Sequence, residues 1–213
     1  MVSEERISAF IRSFAPPKSE YLELIRKEAI LSEVPVIRPE TEPLLSFFAQ
    51  LVKPERVLEV GTAVGYSALL MLESLPAESV ITTIENYPPR IEEAKKYFEK
   101  AGAGARIELL EGDAGEILPQ LSGPYGLIFM DAAKGQYPVW LPEVKRLLKR
   151  GGMLISDNIL QEGEILESRF AVERRDRTIH KRMREYLYTL THDPELSTMI
   201  LPLGDGAAVT VKL

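Results

Sequence analysis

The sequence predicts an α/β protein with a doubly wound, mostly parallel, Rossmann-like sheet, and three observations lead to this prediction. Five short apolar runs alternate with helical patterns through the middle of the chain. This alternation is typical of βαβ units, in which successive strands run parallel. Two further apolar runs near the C-terminus are joined by Gly204-Asp205-Gly206, a sequence typical of a hairpin turn. We therefore expect seven strands, of which the last two form an antiparallel C-terminal hairpin.

Length and composition predict a single soluble domain, 1–213. Of the 213 residues, 45% are hydrophobic and 27% are charged, which is ordinary for a globular protein. No apolar run approaches the roughly 20 residues that span a bilayer, and the N-terminus lacks the pattern of a signal peptide. We expect a cytoplasmic protein with no membrane partner. The absence of cysteine excludes disulfides, thiolate metal sites and cysteine nucleophiles.

The N-terminal segment, 1–52, is expected to be helical and to lie outside the sheet. Amphipathic patterns predict helices over 3–14, 18–31 and 40–52. The stretch 34–39 contains two prolines and is predicted to be extended, because a residue that precedes proline disfavours the helical conformation. We expect this segment either to cover the functional site or to form a dimer interface.

The remaining part of the chain, 53–213, is expected to form the core of the fold. The parallel strands are predicted over 56–60, 80–84, 106–110, 126–130 and 152–156. The helices between them are predicted over 66–75, 88–101, 114–121 and 137–149. A long helical pattern covers about 165–190, and the hairpin strands are predicted over 197–201 and 207–211.

A glycine-rich turn between the first predicted strand and the next helix is a candidate ligand site. Gly61 and Gly65 permit positive φ angles and the close approach of a ligand to the backbone. The free N–H groups at the start of the helix favour an anionic group. The spacing is G-x-x-x-G, so the G-x-G-x-x-G dinucleotide fingerprint is absent. A turn of this kind serves packing as often as binding.

Residues at the ends of the next two strands favour the ligand-binding interpretation. Glu85 ends the second strand, where a carboxylate can accept hydrogen bonds from both ribose hydroxyls, although it could also be a charge at a helix N-terminus. Asp113 and Ala114 follow the third strand, where an adenine ring would lie. The full set suited to a nucleoside is Glu59, Gly61, Ser67, Glu85, Asp113 and Ala114.

Oxygen-bearing side chains follow the fourth and fifth predicted strands. Asp131 comes directly after one apolar run, and Asp157 and Asn158 come directly after the other. If the two strands are neighbours, these side chains converge at the carboxyl edge of the sheet. Two carboxylates and an amide carbonyl are hard ligands suited to Mg²⁺ or a similar cation. The sequence therefore predicts a cation site beside the nucleoside site.

These motifs together resemble a known family. The strings V-L-E-V-G-T-A-V-G-Y-S, T-I-E, E-G-D-A, F-M-D-A-A-K-G-Q-Y and I-S-D-N-I-L are similar to those of the cation-dependent class I O-methyltransferases, the catechol and caffeoyl-CoA group. The resemblance runs from about residue 34 to the C-terminus. Within the group, D-A-A-K-G-Q-Y and P-L-G-D-G-A-A-V most resemble the bacterial tRNA 5-hydroxyuridine methyltransferases. Small-molecule members more often have D-A-D-K, where this chain has Asp131-Ala132-Ala133-Lys134.

The resemblance implies S-adenosylmethionine as the methyl donor. Gly61 and Ser67 would hold its amino-acid end, and Glu85 its ribose. Asp113 and Ala114 would contact the adenine edge, and Ile37 would pack near the donor. The residues that would lie at the donor are Ile37, Glu59, Gly61, Ser67, Glu85, Asp113, Ala114 and Asp131.

The resemblance also implies a cation, Mg²⁺ or another divalent ion, held by Asp131, Asp157 and Asn158. Asp131 and Lys134 would then be the catalytic residues, with Lys134 as the candidate base. Lys134 can accept a proton only if it is neutral, which needs a depressed pKa. Alternatively, it stays protonated and stabilises an oxyanion. Members of the family are commonly dimers, so a homodimer is implied as well.

The acceptor must offer two neighbouring oxygens to the cation. One hypothesis is the 5-hydroxyl of 5-hydroxyuridine at the wobble position, in the anticodon loop of a tRNA; the other is a catechol-like molecule or a coenzyme A thioester. The stretch 169–184 carries seven basic and two acidic residues, which suits phosphates, although a solvated helix face has the same composition. Tyr137 and Trp140 would stack on a base or serve packing.

Two other functional classes are less favoured. A non-catalytic nucleoside-binding or RNA-binding module conflicts with the intact donor turn and the intact set of cation ligands. A hydrolase conflicts with the absence of a G-x-S-x-G elbow. His180 and His192 lie in the polar late segment, where surface or capping roles are expected.

Overall fold

The computed structural model describes residues 4–213. Its strands are β1 (Arg56–Val60), β2 (Val80–Glu85), β3 (Ile107–Glu111), β4 (Tyr125–Met130), β5 (Leu148–Ser156), β6 (Leu196–Leu201) and β7 (Ala207–Lys212). Its α-helices are α1 (Glu4–Arg12), α2 (Glu20–Leu31), α3 (Thr41–Val52), α4 (Tyr66–Ser74), α5 (Pro88–Lys100), α6 (Ala114–Ile117), α7 (Tyr137–Leu147) and α8 (Arg177–His192). Residue 3, with which the first predicted helix begins, lies outside the described residues.

The strands form one seven-stranded sheet in the order β3-β2-β1-β4-β5-β7-β6. The first five strands are parallel, whereas β7 pairs antiparallel with both β5 and β6. The predicted doubly wound sheet with an antiparallel C-terminal hairpin is therefore confirmed. The order reverses between β1 and β4, and in open α/β sheets ligands bind at such a switch point, outside the carboxyl ends of the strands.

Two hydrophobic cores cover the two faces of the sheet. Residues of α2, α3, α4 and α5 pack on one face, and residues of α6, α7 and α8 pack on the other. The central strand β4 supplies both cores by strict alternation, with Leu127 and Phe129 in the first core and Ile128 and Met130 in the second. A strand buried on both faces carries a continuous apolar run, which is why these strands were recognisable in the sequence.

The long helix predicted over 165–190 is wrong in its first part. A 3₁₀ segment covers Gln161–Leu166, irregular turns follow it, and α8 begins only at Arg177. Glu167, which follows the 3₁₀ segment, has an extended backbone with a φ of −73° and a ψ of 161°, so no helix continues through it. The hydrophobic period of the sequence does not reveal this extended residue.

The environment of His180 also differs from its predicted surface role. His180 is 5% exposed, and its Nε2 lies 3.1 Å from the Glu167 carbonyl oxygen, which ties α8 to the irregular segment before it. His192 is exposed in the last turn of α8, as expected. Among residues 4–213, no helix is both long enough and apolar enough to cross a bilayer.

Candidate functional site

A cavity of about 610 Å³ opens at the carboxyl edge of the sheet, beside the switch point between β1 and β4. Its walls come from the loops after β1, β2, β3, β4 and β5 and from the connector between α2 and α3. The predicted residues that line it are Ile37, Gly61, Ser67, Glu85, Asp113, Ala114, Asp131, Lys134 and Asn158. Glu59 and Asp157, the other two predicted residues, are fully buried and lie outside this lining.

The turn after β1 is shaped by its glycines. Gly61 and Gly65 have φ angles of 105° and 82°, and the N–H of Gly61 donates to the Ile84 carbonyl oxygen at 3.1 Å. A Cβ atom on Gly61 would lie 2.1 Å from the backbone oxygen of Asp131. A glycine is therefore required here both by its φ angle and by the close approach of the chain after β4. The turn holds β1 and β4 together where the cavity begins.

Glu85 is a buried carboxylate bound by backbone amides. Its Oε2 accepts a hydrogen bond from Ala63 N–H at 2.9 Å, and its Oε1 accepts from Asn86 and Tyr87 N–H, both at 3.0 Å. A carboxylate has about four acceptor positions, and only three are used here. Because Glu85 is 8% exposed and lines the cavity, the remaining position is available to a ligand hydroxyl.

Asp113 has a structural role in addition to its place in the cavity wall. It is the N-cap of α6, and its Oδ1 accepts a hydrogen bond from Gly115 N–H at 2.7 Å. Ala114 begins the helix beside it and is 7% exposed. Trp140 also lines the cavity, and its Nε1 lies close to Gly115. This part of the wall combines a carboxylate, a helix N-terminus and an aromatic ring.

Glu59 lies behind Ser67. The hydroxyl of Ser67 donates to Glu59 Oε1 at 2.5 Å, and the hydroxyl of Thr83 donates to Oε2 at 2.5 Å. Burial raises the pKa of Glu59 to about 7, and the nearby carboxylates of Asp131 and Glu85 raise it as well. Glu59 therefore orients the hydroxyl of Ser67 from beneath the cavity wall.

Asp131 and Lys134 form an ion pair in the cavity wall. Lys134 Nζ lies 2.7 Å from Asp131 Oδ1 and 3.0 Å from the Tyr137 hydroxyl. Burial alone would lower the pKa of Lys134, but Tyr137 and Asp131 outweigh this effect, and the pKa is raised above its ordinary value. The Tyr137 hydroxyl also donates to the Met130 carbonyl oxygen at 2.8 Å. Tyr137 is fully buried, so it serves packing and positioning rather than stacking on a ligand.

Asp157 has one oxygen without a donor. Its Oδ1 accepts hydrogen bonds from Asn158 N–H at 2.9 Å and from the Thr41 hydroxyl at 3.3 Å. Its Oδ2 is buried, and no group among residues 4–213 donates to it. Burial raises the pKa of Asp157 to about 6, and the Asp131 carboxylate contributes in the same direction. A buried carboxylate oxygen that lacks a donor can be satisfied by a cation, so these residues fit a divalent ion.

The described residues contain no group of three His, Cys, Asp or Glu side chains that could hold a metal. The predicted set has two carboxylates and the amide of Asn158, so it falls outside such a group. The pairing of β4 with β5 brings Asp131 and Asp157 to adjacent strand ends, because Met130 and Ser156 are partners in the register. The structure thus places Asp131 and Asp157 at neighbouring strand ends, and Asn158, which follows Asp157, lines the cavity.

The connector between α2 and α3 reaches the cavity through Ile37 and Arg38. Ile37 is held in place by Arg26, whose Nη2 donates to its carbonyl oxygen at 2.8 Å. Arg26 also pairs with Glu42, a buried carboxylate that accepts a hydrogen bond from Tyr66 at 2.6 Å. The N-terminal helices are thereby attached to the wall of the site.

Sequence reasoning missed Thr41, Arg38 and Tyr66 as residues of the site. Thr41 reaches Asp157 across 116 positions of the chain, and nothing in its local sequence marks it. Arg38 and Tyr66 line the cavity, and the signals available for them were the proline-rich connector for Arg38 and the glycine-rich turn directly before Tyr66.

Comparisons with known proteins give a consistent family. The model of a family described as "O-methyltransferase" matches residues 13–213. A protein of Niastella koreensis named "Catechol O-methyltransferase" is 33% identical over 135 residues, which cover 62% of this chain and 61% of that protein. That match spans less than two thirds of the relative's length.

Solved structures agree with the family match. The crystal structure of "a putative caffeoyl-CoA O-methyltransferase" from Staphylococcus aureus is 29% identical, with a TM-score of 0.85, covering 92% of this chain and 93% of that one. An SAH-bound methyltransferase from Podospora anserina is 26% identical, with a TM-score of 0.87, covering 100% of this chain and 97% of that one.

We expect Gly61→Ala to destabilise the fold. The new methyl group would meet the Asp131 carbonyl oxygen and would also require an unfavourable positive φ. Overpacking costs about 1–3 kcal/mol and the backbone conformation about 1–2 kcal/mol more. Gly102→Ala is the matched control, since Gly102 has a φ of 64° and open space around it. Urea denaturation would measure both variants, and equal losses of stability would contradict the steric argument.

Proposed function

The chain belongs to the O-methyltransferase family and is an S-adenosylmethionine-dependent O-methyltransferase. From this premise we propose that it methylates the 5-hydroxyl of 5-hydroxyuridine at the wobble position of a tRNA. The proposal includes a divalent cation, Mg²⁺ or a similar ion, held by Asp131, Asp157 and Asn158. It also includes the donor site along Gly61, Ser67, Glu85, Asp113 and Ala114, with Ile37 and Asp131 beside it and Glu59 behind it.

The donor supplies a methyl group on a sulfonium, and a bound cation lowers the pKa of a coordinated hydroxyl and fixes its position. The task of the protein is then mainly positioning, which is worth up to about 7–11 kcal/mol in well-oriented reactions. Glu85 would accept hydrogen bonds from the ribose, and the helix start at Ser67 would hold the amino-acid end. Asp157 and Asn158 would fix the cation from the buried side of the cavity.

Lys134 is the cationic side chain placed beside the proposed reaction centre. It lies 14% exposed in contact with Asp131, so its ammonium group is available to an accepting oxygen at the cavity wall. Its Nζ donates to Asp131 at 2.7 Å and to the Tyr137 hydroxyl at 3.0 Å, which are the contacts of an ammonium group. We therefore propose that Lys134 stays protonated and stabilises the oxyanion of the acceptor.

The observation that carries the choice of a nucleic acid is the basic segment 169–184. Asn158 lines the cavity eleven residues before Arg169, and Arg182, near the end of the segment, donates to the Gly135 carbonyl oxygen at 2.9 Å, next to Lys134. Between these anchors, Arg169 and Arg174 are exposed and form no ion pair among residues 4–213. We propose that these arginines form a basic rim of the site, since free arginines suit a phosphate backbone.

An exposed aromatic ring accompanies these arginines. Phe170 is 87% exposed, and Leu166 nearby is 73% exposed. Single-stranded RNA is bound by this combination of stacking platforms and cationic groups. A small chelating acceptor would be enclosed within the cavity and would gain nothing from side chains outside it.

A second candidate function is methylation of a catechol-like molecule or a coenzyme A thioester. It is favoured by the names of the two relatives, one a catechol O-methyltransferase and the other a caffeoyl-CoA O-methyltransferase. Vicinal hydroxyls would chelate the same cation. Coenzyme A also carries phosphates, which the basic rim would suit.

We further propose that the chain forms a homodimer through its N-terminal helices, while their connector covers the site. Phe47 and Leu51 lie four residues apart on α3 and are 62% and 63% exposed. Phe10 and Phe14 are 66% and 72% exposed and pack edge to face with each other. Exposed apolar clusters of this kind mark association surfaces.

Methyl transfer from labelled donor tests the proposed function. We expect incorporation into tRNA that contains 5-hydroxyuridine, and none into caffeoyl-CoA, catechol or tRNA with an unmodified wobble uridine. EDTA should abolish turnover, and Asp157→Ala should lower it by about 10²–10³-fold while donor affinity measured by calorimetry stays nearly unchanged. Transfer only to catechol or the thioester would establish the second candidate, and turnover that persists in EDTA would refute the cation.

The double variant Arg169→Glu/Arg174→Glu tests the basic rim. It should raise the KM for tRNA at least about tenfold and lower the slope of log KM against log salt by about 1 for each lost phosphate contact. Lys149→Glu/Arg150→Glu makes the same change of charge at the exposed start of β5, away from Asp157 at its other end. If both double variants behave alike, the effect is one of net charge and the rim has no specific role.

The proposed dimer predicts a molar mass in solution of twice the 23.9 kDa of one chain. Phe47→Glu/Leu51→Glu should shift the mass towards that of a monomer, because it places charges in an apolar interface. Light scattering coupled to gel filtration measures both. A wild-type mass of one chain at micromolar concentration would exclude the dimer.

A further inference from the structure

The loop that carries Asn158 has an unusual backbone. Asn158, Gln161 and Glu162 all have φ angles between 52° and 53°, and Gly163 follows with 87°. Left-handed conformations of residues other than glycine persist only where their surroundings enforce them. The contacts that hold this loop therefore decide where the side chain of Asn158 lies.

Those contacts come from the turn between β6 and β7. Ile159 N–H donates to the Gly206 carbonyl oxygen at 3.0 Å, and Leu160 N–H donates to the Asp205 carbonyl oxygen at 2.9 Å. The side chain of Asp205 reaches further along the loop, where its Oδ1 accepts a hydrogen bond from Glu162 N–H at 2.6 Å. One residue of the hairpin thus binds two amides of the loop.

Asp205 is placed for this contact rather than for an ion pair. It is 8% exposed, and no lysine, arginine or histidine of the described chain lies within ion-pair distance of it. The following glycine allows the loop to pack directly on the turn, because a Cβ atom on Gly206 would lie 2.3 Å from Leu160 Cγ. A buried carboxylate that accepts a hydrogen bond from a backbone amide supports the loop at that point.

The same turn contacts the other side of the site. A Cβ atom on Gly204 would lie 3.5 Å from Arg38 Cδ and 3.7 Å from the hydroxyl of Thr41, the residue that donates to Asp157. Arg38 in turn pairs with Glu162 at 3.6 Å. The hairpin turn therefore contacts both the segment that carries Arg38 and Thr41 and the loop that carries Asn158.

We propose that Asp205 is a positioning residue, which fixes the left-handed loop 158–163 and so holds Asn158 in the geometry needed to bind a divalent cation. The proposal rests on the cation site of the proposed function. It gives the Gly204-Asp205-Gly206 motif a role beyond that of a hairpin turn.

The test combines a binding measurement with a backbone measurement. Mn²⁺ affinity is followed by electron paramagnetic resonance of the free ion, and donor affinity by calorimetry. Asp205→Ala should weaken Mn²⁺ binding about 10–100-fold and leave donor affinity within about threefold, as is typical for the loss of a group that supports a metal ligand. Asp205→Asn keeps the acceptor oxygen and should recover most of the affinity.

Hydrogen exchange of the backbone amides separates the two proposals. In Asp205→Ala the amide of Glu162, which loses its acceptor, should exchange at least about tenfold faster, whether or not a cation binds. The matched control is Asp193→Ala, since Asp193 also accepts a backbone amide, from Glu195 at 2.9 Å, but lies at the end of α8. Its Mn²⁺ affinity and its loop exchange should match the wild type.

Unchanged exchange in Asp205→Ala, or unchanged Mn²⁺ affinity where the wild type binds the ion, would overturn the positioning role. A wild-type protein that binds no Mn²⁺ would refute the cation site of the proposed function and, with it, the link to Asn158. Faster exchange in that case would reduce Asp205 to a support of the loop alone.

Discussion

The site depends on one electrostatic constraint, which is that Asp131 and Asp157 stand side by side at the ends of two paired parallel strands. Like charges in a buried setting destabilise each other, and this is one cause of the raised pKa of Asp157. Lys134 contacts one carboxylate and Thr41 donates to the other. Lys134 follows Asp131 in the same loop, whereas Thr41 lies 116 positions from Asp157, so its hydrogen bond also connects the N-terminal helices to the strand ends. A bound cation would reduce the repulsion between the two carboxylates further.

Steric constraints leave these segments little freedom to relax. Gly61 lies too close to the Asp131 backbone for any side chain, and the Asp131 N–H donates to the Val60 carbonyl oxygen at 3.0 Å, which joins β4 to β1 at the turn. Ile37 is held by Arg26, and the loop after Asp157 is held by the C-terminal hairpin. The cavity is thus built by contacts between parts of the chain that are far apart in sequence. Such contacts hold the site in a fixed geometry before any ligand binds, as positioning catalysis requires.

The sequence predicted the sheet and the convergence of the site well, because both follow from local patterns. Buried strands appear as apolar runs, and parallel strands end at the same edge, so polar residues after each run must meet there. The irregular segment before α8 was missed, since the extended backbone at Glu167 has no mark in the local sequence. The roles of Thr41 and Glu59 were not recognisable either. They depend on which side chain faces the cavity and which lies behind it, and this is decided by packing between distant segments.

The same difference between local patterns and distant packing explains why the sequence indicates the reaction more clearly than the acceptor. The residues proposed for the donor and the cation lie on strand ends, where hydrogen bonding of the sheet fixes them and a short motif records them. The residues proposed for the acceptor lie on the segment around Phe170, outside the sheet, where composition gives the side-chain types but no geometry. A catechol and a wobble uridine present the same pair of oxygens to a cation, so the strand ends cannot distinguish them. What distinguishes them is the size of what is attached, and only an acceptor that extends beyond the cavity can contact Phe170 and Arg169 where they stand exposed.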